Sequence, residues 1–307
     1  MAEVSRCGLV ALVGAPNVGK STLMNALVGH KVGIVSPKAN TTRVVVRGVR
    51  QEGTAQLVFV DTPGLNTSTK AFDRQLVQQA RGSLADADVV ALVIDATRGF
   101  DAQAKALAES FAAKPDMQVY VLVINKMDKL TPRSKVLELM TAAQAYGCFT
   151  EVFAVSATKG GGVDDIAPAL AKLLPEGPWL FAPDQATDMP LPLRLAEVTR
   201  EKVMLNLHEE VPYAVGVVTT LLADDEAPVL VQQTLLLARD AHKPLVLGKG
   251  GGMLKRIGSA AREEMQTLLG KGVRLELQVE VKPRWLEQQN LLAEMGVLNM
   301  DTGDGDA

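Results

Sequence analysis

Gly14-Ala15-Pro16-Asn17-Val18-Gly19-Lys20-Ser21-Thr22 stands between an apolar run, Gly8-Leu9-Val10-Ala11-Leu12-Val13, and an amphipathic one, Ser21 to Val28. The spacing G-x-x-x-x-G-K-[ST] is that of a phosphate-binding loop, and it needs a buried strand before it and a helix after it. Gly14 and Gly19 let the backbone curl so that successive N–H groups converge on phosphate oxygens at a helix N-terminus. Lys20 brings a point charge to the β- and γ-phosphates, and the Ser21 hydroxyl is placed to ligate Mg²⁺.

Working outward, the 307 residues suggest about two domains. A hydrophobic content of 47% with 22% charged residues is that of a globular chain with ample core. The net charge of −3 excludes a global field for nucleic acid, so any such binding must come from a local patch. Cys7 and Cys148 show neither CxxC spacing nor a paired framework, which predicts buried apolar side chains in a reducing compartment. No secretory core opens the sequence, and no run approaches ~18 apolar residues, so a soluble intracellular protein is expected.

From Gly8 to about Leu174 short apolar runs alternate with amphipathic ones. Strands are expected at 9–13, 44–49, 56–60, 89–94, 119–124 and 151–155, and helices at 20–28, 73–84, 102–113, 132–145 and 163–174. This alternation predicts an α/β fold, a mostly parallel sheet with helices on both faces, whose ligands bind at the carboxyl ends of the strands. Three further motifs fall at such ends, and a fourth lies between the helix 20–28 and the strand 44–49. Asp61-Thr62-Pro63-Gly64 could hold Mg²⁺ through the carboxylate and meet a γ-phosphate through the glycine N–H, although alone it also reads as a turn. In Asn40-Thr41-Thr42-Arg43, Thr42, with Thr41 as the alternative, could complete the metal shell. Asn125-Lys126-Met127-Asp128 selects a base: Asp128 can accept from the ring N–H and the exocyclic amine of guanine. Adenine would leave that carboxylate unpaired. The Lys126 stem can lie along the base, Asn125 can tie this loop to the phosphate loop, and Ser156-Ala157-Thr158 can direct the Ala157 N–H toward the guanine oxygen. Five motifs in this order describe a guanine-nucleotide switch.

The proline-rich stretch 175–192 breaks the periodicity and reads as a stiff linker, with Trp179 and Phe181 packing it onto one of the domains. Beyond it an amphipathic helix is expected at 193–210, strands at 213–222 and 227–237, a helix at 259–269 and a strand at 273–281. Gly248-Lys249-Gly250-Gly251 lies between two helices beside this small sheet, the KH arrangement that clamps four nucleotides of single-stranded RNA. Lys243, Lys249, Lys255, Arg256 and Arg262 fall in one window without a carboxylate. The run Gly250-Gly251-Gly252 leaves the register of the loop open. The acidic tail 299–307 is expected to be disordered.

The phosphate loop, Thr41-Thr42-Arg43, Asp61-Thr62-Pro63-Gly64-Leu65, Asn125-Lys126-Met127-Asp128, Ser156-Ala157-Thr158 and Ile257-Gly258-Ser259-Ala260-Ala261-Arg262-Glu263-Glu264-Met265 together resemble the Era family, among the translation-factor-related GTPases. The resemblance covers about residues 5 to 298. It implies a GTPase domain at 1–174, the linker at 175–192 and a type II KH domain at 193–298. The implied function is slow hydrolysis of GTP to GDP with Mg²⁺, binding of 16S ribosomal RNA near its 3′ end, and maturation of the 30S subunit. Where many GTPases carry a glutamine this chain has Leu65, so water must be positioned by other means. The resemblance also implies a monovalent cation, K⁺, held in part by Asn17. RNA contacts are expected from Gly248, Lys249, Gly250, Gly251, Lys255, Arg256 and Arg262, and catalytic roles from Asn17, Lys20, Thr42 and Gly64. A monomer is expected. Members of the family associate peripherally with the inner membrane; no amphipathic anchor here demands it, and that location stays open. Rival readings are a switch whose second domain binds protein, an RNA-binding module with a structural nucleotide, and an ATPase, which Asp128 disfavours.

Overall fold

A computed structural model describes residues 4–61, 85–114, 117–132, 134–223 and 227–297. The expected helix 73–84, the residues Thr62, Pro63, Gly64 and Leu65, and the tail 299–307 lie outside the described residues. The chain divides into two compact units, one built from residues up to Val35 with Val45–Asp188, the other from Ser36–Val44 with the residues from Met189 onward.

The first unit is a six-stranded sheet of order β2-β3-β1-β4-β5-β6, with β1 Arg6–Val13, β2 Val46–Glu52, β3 Ala55–Asp61, β4 Val89–Asp95, β5 Val119–Asn125 and β6 Phe149–Ala154. All neighbouring pairs are parallel except β2 with β3. β3 and β4 are buried at every residue, which is why their sequences run apolar without alternation. Helices α1 Lys20–Val28, α2 Ala102–Ala112, α3 Lys135–Gln144 and α4 Ile166–Leu173 connect or follow the strands. α2 begins where Asp101 accepts the Ala104 N–H at 2.9 Å, and its Phe111 stacks on Tyr120 of β5 at 4.4 Å between centroids. Both cysteines are buried, and burial pushes their thiols up from the ordinary value.

Gln56, a polar residue in the fully buried β3, explains where the proline-rich stretch goes. Its side chain accepts from Leu180 N (2.9 Å) and Phe181 N (3.0 Å) and donates to Phe181 O (2.8 Å). Trp179 Nε1 donates to Thr54 O, and Val49 N donates to Ala186 O, so this stretch binds the first unit and covers the edge strand β2.

The second unit is a three-stranded sheet, β7 Val215–Ala223, β8 Val229–Leu237 and β9 Val273–Val281, with β7 antiparallel and β9 parallel to β8. It packs against α5 Leu191–Asn206 and α7 Gly252–Leu269, with the short α6 Lys243–Leu247 between β8 and α7, and α8 Gln289–Glu294 near the end. α7 starts at Gly252, seven residues before the expected Ser259. The glycines hide a helical period in which Ile257, Ala261 and Met265 are buried four residues apart. At Gly216 of β7 a Cβ would press Met295 and Trp285, whose Nε1 donates to Ala214 O at 3.2 Å.

Residues Ser36–Val44 are strapped into this second unit by charged side chains on backbone carbonyls. Arg43 donates to Tyr213 O (2.6 Å) and Val215 O (2.9 Å), Lys38 Nζ to Met204 O (2.6 Å), and Arg200 to Thr41 O (2.6 Å). Arg200 is itself buried and paired with Glu197 through two bonds of 2.6 and 2.7 Å. Such a buried pair holds position more than it adds stability.

Candidate functional sites

In the first unit the phosphate loop, Asp61, residues 125–128 and residues 156–158 stand at the carboxyl ends of β1, β3, β5 and β6. The phosphate loop leaves β1 at Gly14 and enters α1 through Gly19, both with positive φ (143° and 101°). A Cβ at Gly14 would overlap the Val93 carbonyl of β4, and one at Gly19 the Asn125 amide, so the loop closes against two neighbouring strands. Asn17 also has positive φ (63°). Lys20 is buried, with Nζ donating to Gly14 O (3.1 Å) and Ala15 O (3.3 Å). Burial lowers its pKa and the charge of Asp61 works in the other direction. A buried ammonium on two loop carbonyls matches a site for an anion.

Ser21 Oγ donates to Asp61 Oδ2 at the end of β3. A hydroxyl and a carboxylate side by side are the hard oxygen donors that Mg²⁺ takes together with phosphates and water, so these residues fit that ion. Among the described residues no cluster of three His, Cys, Asp or Glu side chains forms a separate metal site. Thr42 belongs to Ser36–Val44 and is grouped with the second unit.

Asn125 ends β5 and ties three loops together. Its Nδ2 donates to Val18 O of the phosphate loop (2.9 Å), and its Oδ1 accepts from Lys126 N (2.8 Å) and Ala157 N (3.0 Å). The Ala157 N–H, expected to point at guanine, is thus engaged by Asn125 and would share or exchange that bond with a base. Asp128 accepts from Ser156 Oγ at 2.6 Å. The carboxylate-bearing residue is exposed, so its desolvation comes only with the base. Thr158 is exposed, whereas Ser156 is buried and held by Gly161 O and the Gly160 N–H. Asp95, at the end of β4, carries no motif in the sequence. It accepts Lys126 Nζ at 2.7 Å, and Lys126 Nζ also donates to Asn17 O.

In the second unit the open register is resolved: Gly248, Gly250 and Gly251 have positive φ (71°, 58° and 76°), while Gly252 is the first helical residue. A groove of about 360 Å³ follows the loop, lined by Gly251, Leu254, Lys255, Gly258, Ser259 and Arg262 of the loop and α7, with Leu275 and Leu277 of β9. Of the expected RNA contacts, Gly251, Lys255 and Arg262 meet in this groove, whereas Gly248, Lys249, Gly250 and Arg256 do not line it. Lys249, Lys255, Arg256 and Arg262 are all exposed. Leu254, Leu275 and Leu277 were missed because apolar floor residues look like core in a sequence. Among the described residues no helix is long and apolar enough to cross a membrane.

Residues 9–126 match the family described as 50S ribosome-binding GTPase, and residues 210–286 match the KH domain family. A GTPase Era from Dinoroseobacter shibae is 45% identical over 100% of this chain and 99% of its own length. One from Afipia carboxidovorans is 46% identical over 96% of each. Two crystal structures, Era in complex with MgGDPNP and nucleotides 1506–1542 of 16S ribosomal RNA, and an Aquifex aeolicus Era variant bound to GDP and aluminium fluoride, each superpose with a TM-score of 0.88. Each is 39% identical, covering 95% of this chain and 99% of the other. With a phosphate-type loop tied to neighbouring strand ends, a glycine loop that opens onto a basic groove, and relatives matching over nearly the full length, the chain belongs to the Era family of GTPases.

Proposed function

We propose that this chain is a GTP-hydrolysing switch whose second unit binds 16S ribosomal RNA near its 3′ end and assists maturation of the 30S subunit. The observation that carries the reading is the presence, in one chain, of a phosphate-type loop tied by Asn125 to the end of β5 and of a glycine loop opening onto a groove with cationic rims and an apolar floor. The relative crystallised with MgGDPNP and nucleotides 1506–1542 of 16S ribosomal RNA supports the choice of RNA.

In this reading the functional parts are a GTPase domain at 1–174, a connecting stretch at 175–192 and a KH domain at 193–298. The N–H groups of Gly14 to Thr22 and the Lys20 ammonium hold the β- and γ-phosphates. Asp128, Lys126 and Ala157 hold the base. Ser21, Asp61 and Thr42 would hold Mg²⁺, which when bound neutralises charge between phosphate oxygens. Thr62, Pro63 and Gly64 respond to the γ-phosphate, and Asn17 shares a K⁺ ion. The Leu65 side chain takes no proton, so catalysis rests on positioning and charge. Gly248 to Gly251 admit the RNA backbone, and Lys249, Lys255, Arg256 and Arg262 meet its phosphates. The protein acts as a monomer in the cytoplasm, with peripheral contact at the inner membrane open to it.

The test is binding of a short RNA from the 3′ end of 16S ribosomal RNA, titrated with salt, in the presence of a GTP analogue and of GDP. Tighter binding with the analogue, falling steeply with salt, is expected. By linkage the RNA must then tighten the analogue by the same factor. Equal, weak binding in both states would overturn the reading and point to a protein partner for the second unit.

A further inference from the structure

The buried carboxylate of Asp95 belongs to none of the motifs of the nucleotide site, yet it sits among them. It closes β4, beside Asn125 of β5 in the parallel pairing, and is 6% exposed. One oxygen is used locally: Oδ1 accepts Thr97 N (2.9 Å) and Thr97 Oγ1 (2.6 Å), which shapes the turn after the strand. The other acts at a distance. Oδ2 accepts Lys126 Nζ at 2.7 Å, and the same ammonium donates to the carbonyl of Asn17 in the phosphate loop. Lys126 itself leaves β5 in the left-handed region (φ 64°), and its Cε lies about 4.0 Å from where a Cβ on Gly19 would stand. Its stem therefore passes beside the phosphate loop with both ends fixed.

We propose that Asp95 is a positioning residue for nucleotide binding, which anchors the Lys126 ammonium against the Asn17 carbonyl so that the lysine stem is already laid out as one wall of the base slot. Without that anchor a lysine side chain gives up its rotamer freedom when it is ordered by ligand. With it the ordering is done during folding. Burial pushes the Asp95 carboxyl up, but the bonds from Lys126 and Thr97 outweigh it and hold the group below its ordinary value, so it is ionised at neutral pH. The anchor touches the phosphate loop at the Asn17 carbonyl and uses none of the loop N–H groups that meet phosphate, so its effect on ligand binding falls on the base part.

This inference rests on Lys126 being a wall of the base site, and the experiment separates the two. Affinities of the full chain for fluorescent GDP and for magnesium pyrophosphate, which lacks a base, are measured for the wild type, D95N, K126M, the double variant and T97A. D95N keeps an acceptor for Thr97 and loses the charge that faces Lys126. The expected result is about tenfold weaker GDP binding in D95N, the scale of a hydrogen bond to a charged group, with pyrophosphate unchanged. The double variant should bind GDP no more weakly than K126M alone. T97A should keep wild-type affinity. Equal losses for GDP and pyrophosphate in D95N, full additivity with K126M, or a T97A as weak as D95N would each overturn the proposal, the last by showing that Asp95 acts through its turn. A K126M that binds GDP like the wild type would overturn the reading of Lys126 itself, and the proposal with it.

Discussion

Two glycine loops lead into helices in this chain, and they are built in opposite ways. Gly14–Gly19 enters α1 and Gly248–Gly251 enters α7; in both, the residue before the helix is a glycine in the left-handed region with no side-chain cap. The first loop is walled in. Val93 stands against Gly14, Asn125 against Gly19, and its lysine is buried on loop carbonyls. The second meets only its own helix, at Gly248 against Met253; it has nothing within 4 Å of a Cβ at Gly250 or Gly251, and its Lys249 is exposed. One backbone device therefore serves two ligand sizes. A closed cradle fits a compact phosphate whose charge is concentrated, while an open loop lets a polymer backbone pass across it and leaves the strength to mobile surface charges.

The largest effect that would test this contrast comes from adding one methyl group to each loop. Gly14→Ala must adopt a φ near 143° and push its Cβ into a backbone carbonyl, an overpacking and strain of about 3 kcal/mol or more. Loss of GDP binding and a lowered thermal midpoint are expected. Gly250→Ala meets open space, so only its left-handed φ of 58° is unfavourable, by about 1–2 kcal/mol. Equal damage from the two substitutions would break the comparison.

A smaller effect separates the two lysines. Lys20→Ala removes the buried ammonium that rests on the Gly14 and Ala15 carbonyls, and nucleotide binding should fall by orders of magnitude with little dependence on salt. Lys249→Ala or Lys255→Ala removes one exposed charge, so RNA binding should fall by a few-fold. The slope of log K against log salt should then drop by about 1 for each RNA phosphate that is no longer neutralised. A salt slope unchanged in both variants would show that the open loop does not meet phosphates.

The same contrast explains what could be read from the chain before its structure. The closed site was legible because its parts are local: a glycine spacing, a hydroxyl next to a lysine, and short polar words at the ends of apolar runs such as Val119–Asn125. α1 falls at the expected 20–28 for this reason. Asp95 escaped because a lone acid after an apolar run has no partner within reach in the sequence, and its meaning arrives only when β4 and β5 lie side by side. The start of α7 escaped because glycine disguises helix. The grouping of Ser36–Val44 with the second unit was illegible for a stronger reason: it depends on Arg43 and Arg200 reaching carbonyls 159 to 172 residues away. Backbone acceptors leave no trace in side-chain patterns, and Arg43 in the sequence looks like one more polar loop residue.

The smallest expected effect concerns how the closed loop is braced. Asp95 holds Lys126, and Lys126 holds the Asn17 carbonyl, so part of the bracing of the first loop is an ion pair. The folded carboxyl titrates below its ordinary value of 3.8, because the bonds from Lys126 and Thr97 outweigh the upward push of burial. A depressed carboxyl stabilises the fold fully above the unfolded pKa and loses that contribution as pH falls through the folded one. The unfolded chain then binds the proton first, and stability drains away as it does so. Thermal midpoints of the wild type and of D95N, each measured from pH 7 downward, should therefore keep a constant separation at neutral pH. That separation should begin to shrink as pH approaches 3.8. A separation that stays constant through this range would mean that Asp95 braces the loop by shape and not by charge. The closed loop would then owe its rigidity to packing alone, and the difference between the two loops would reduce to how tightly each is enclosed.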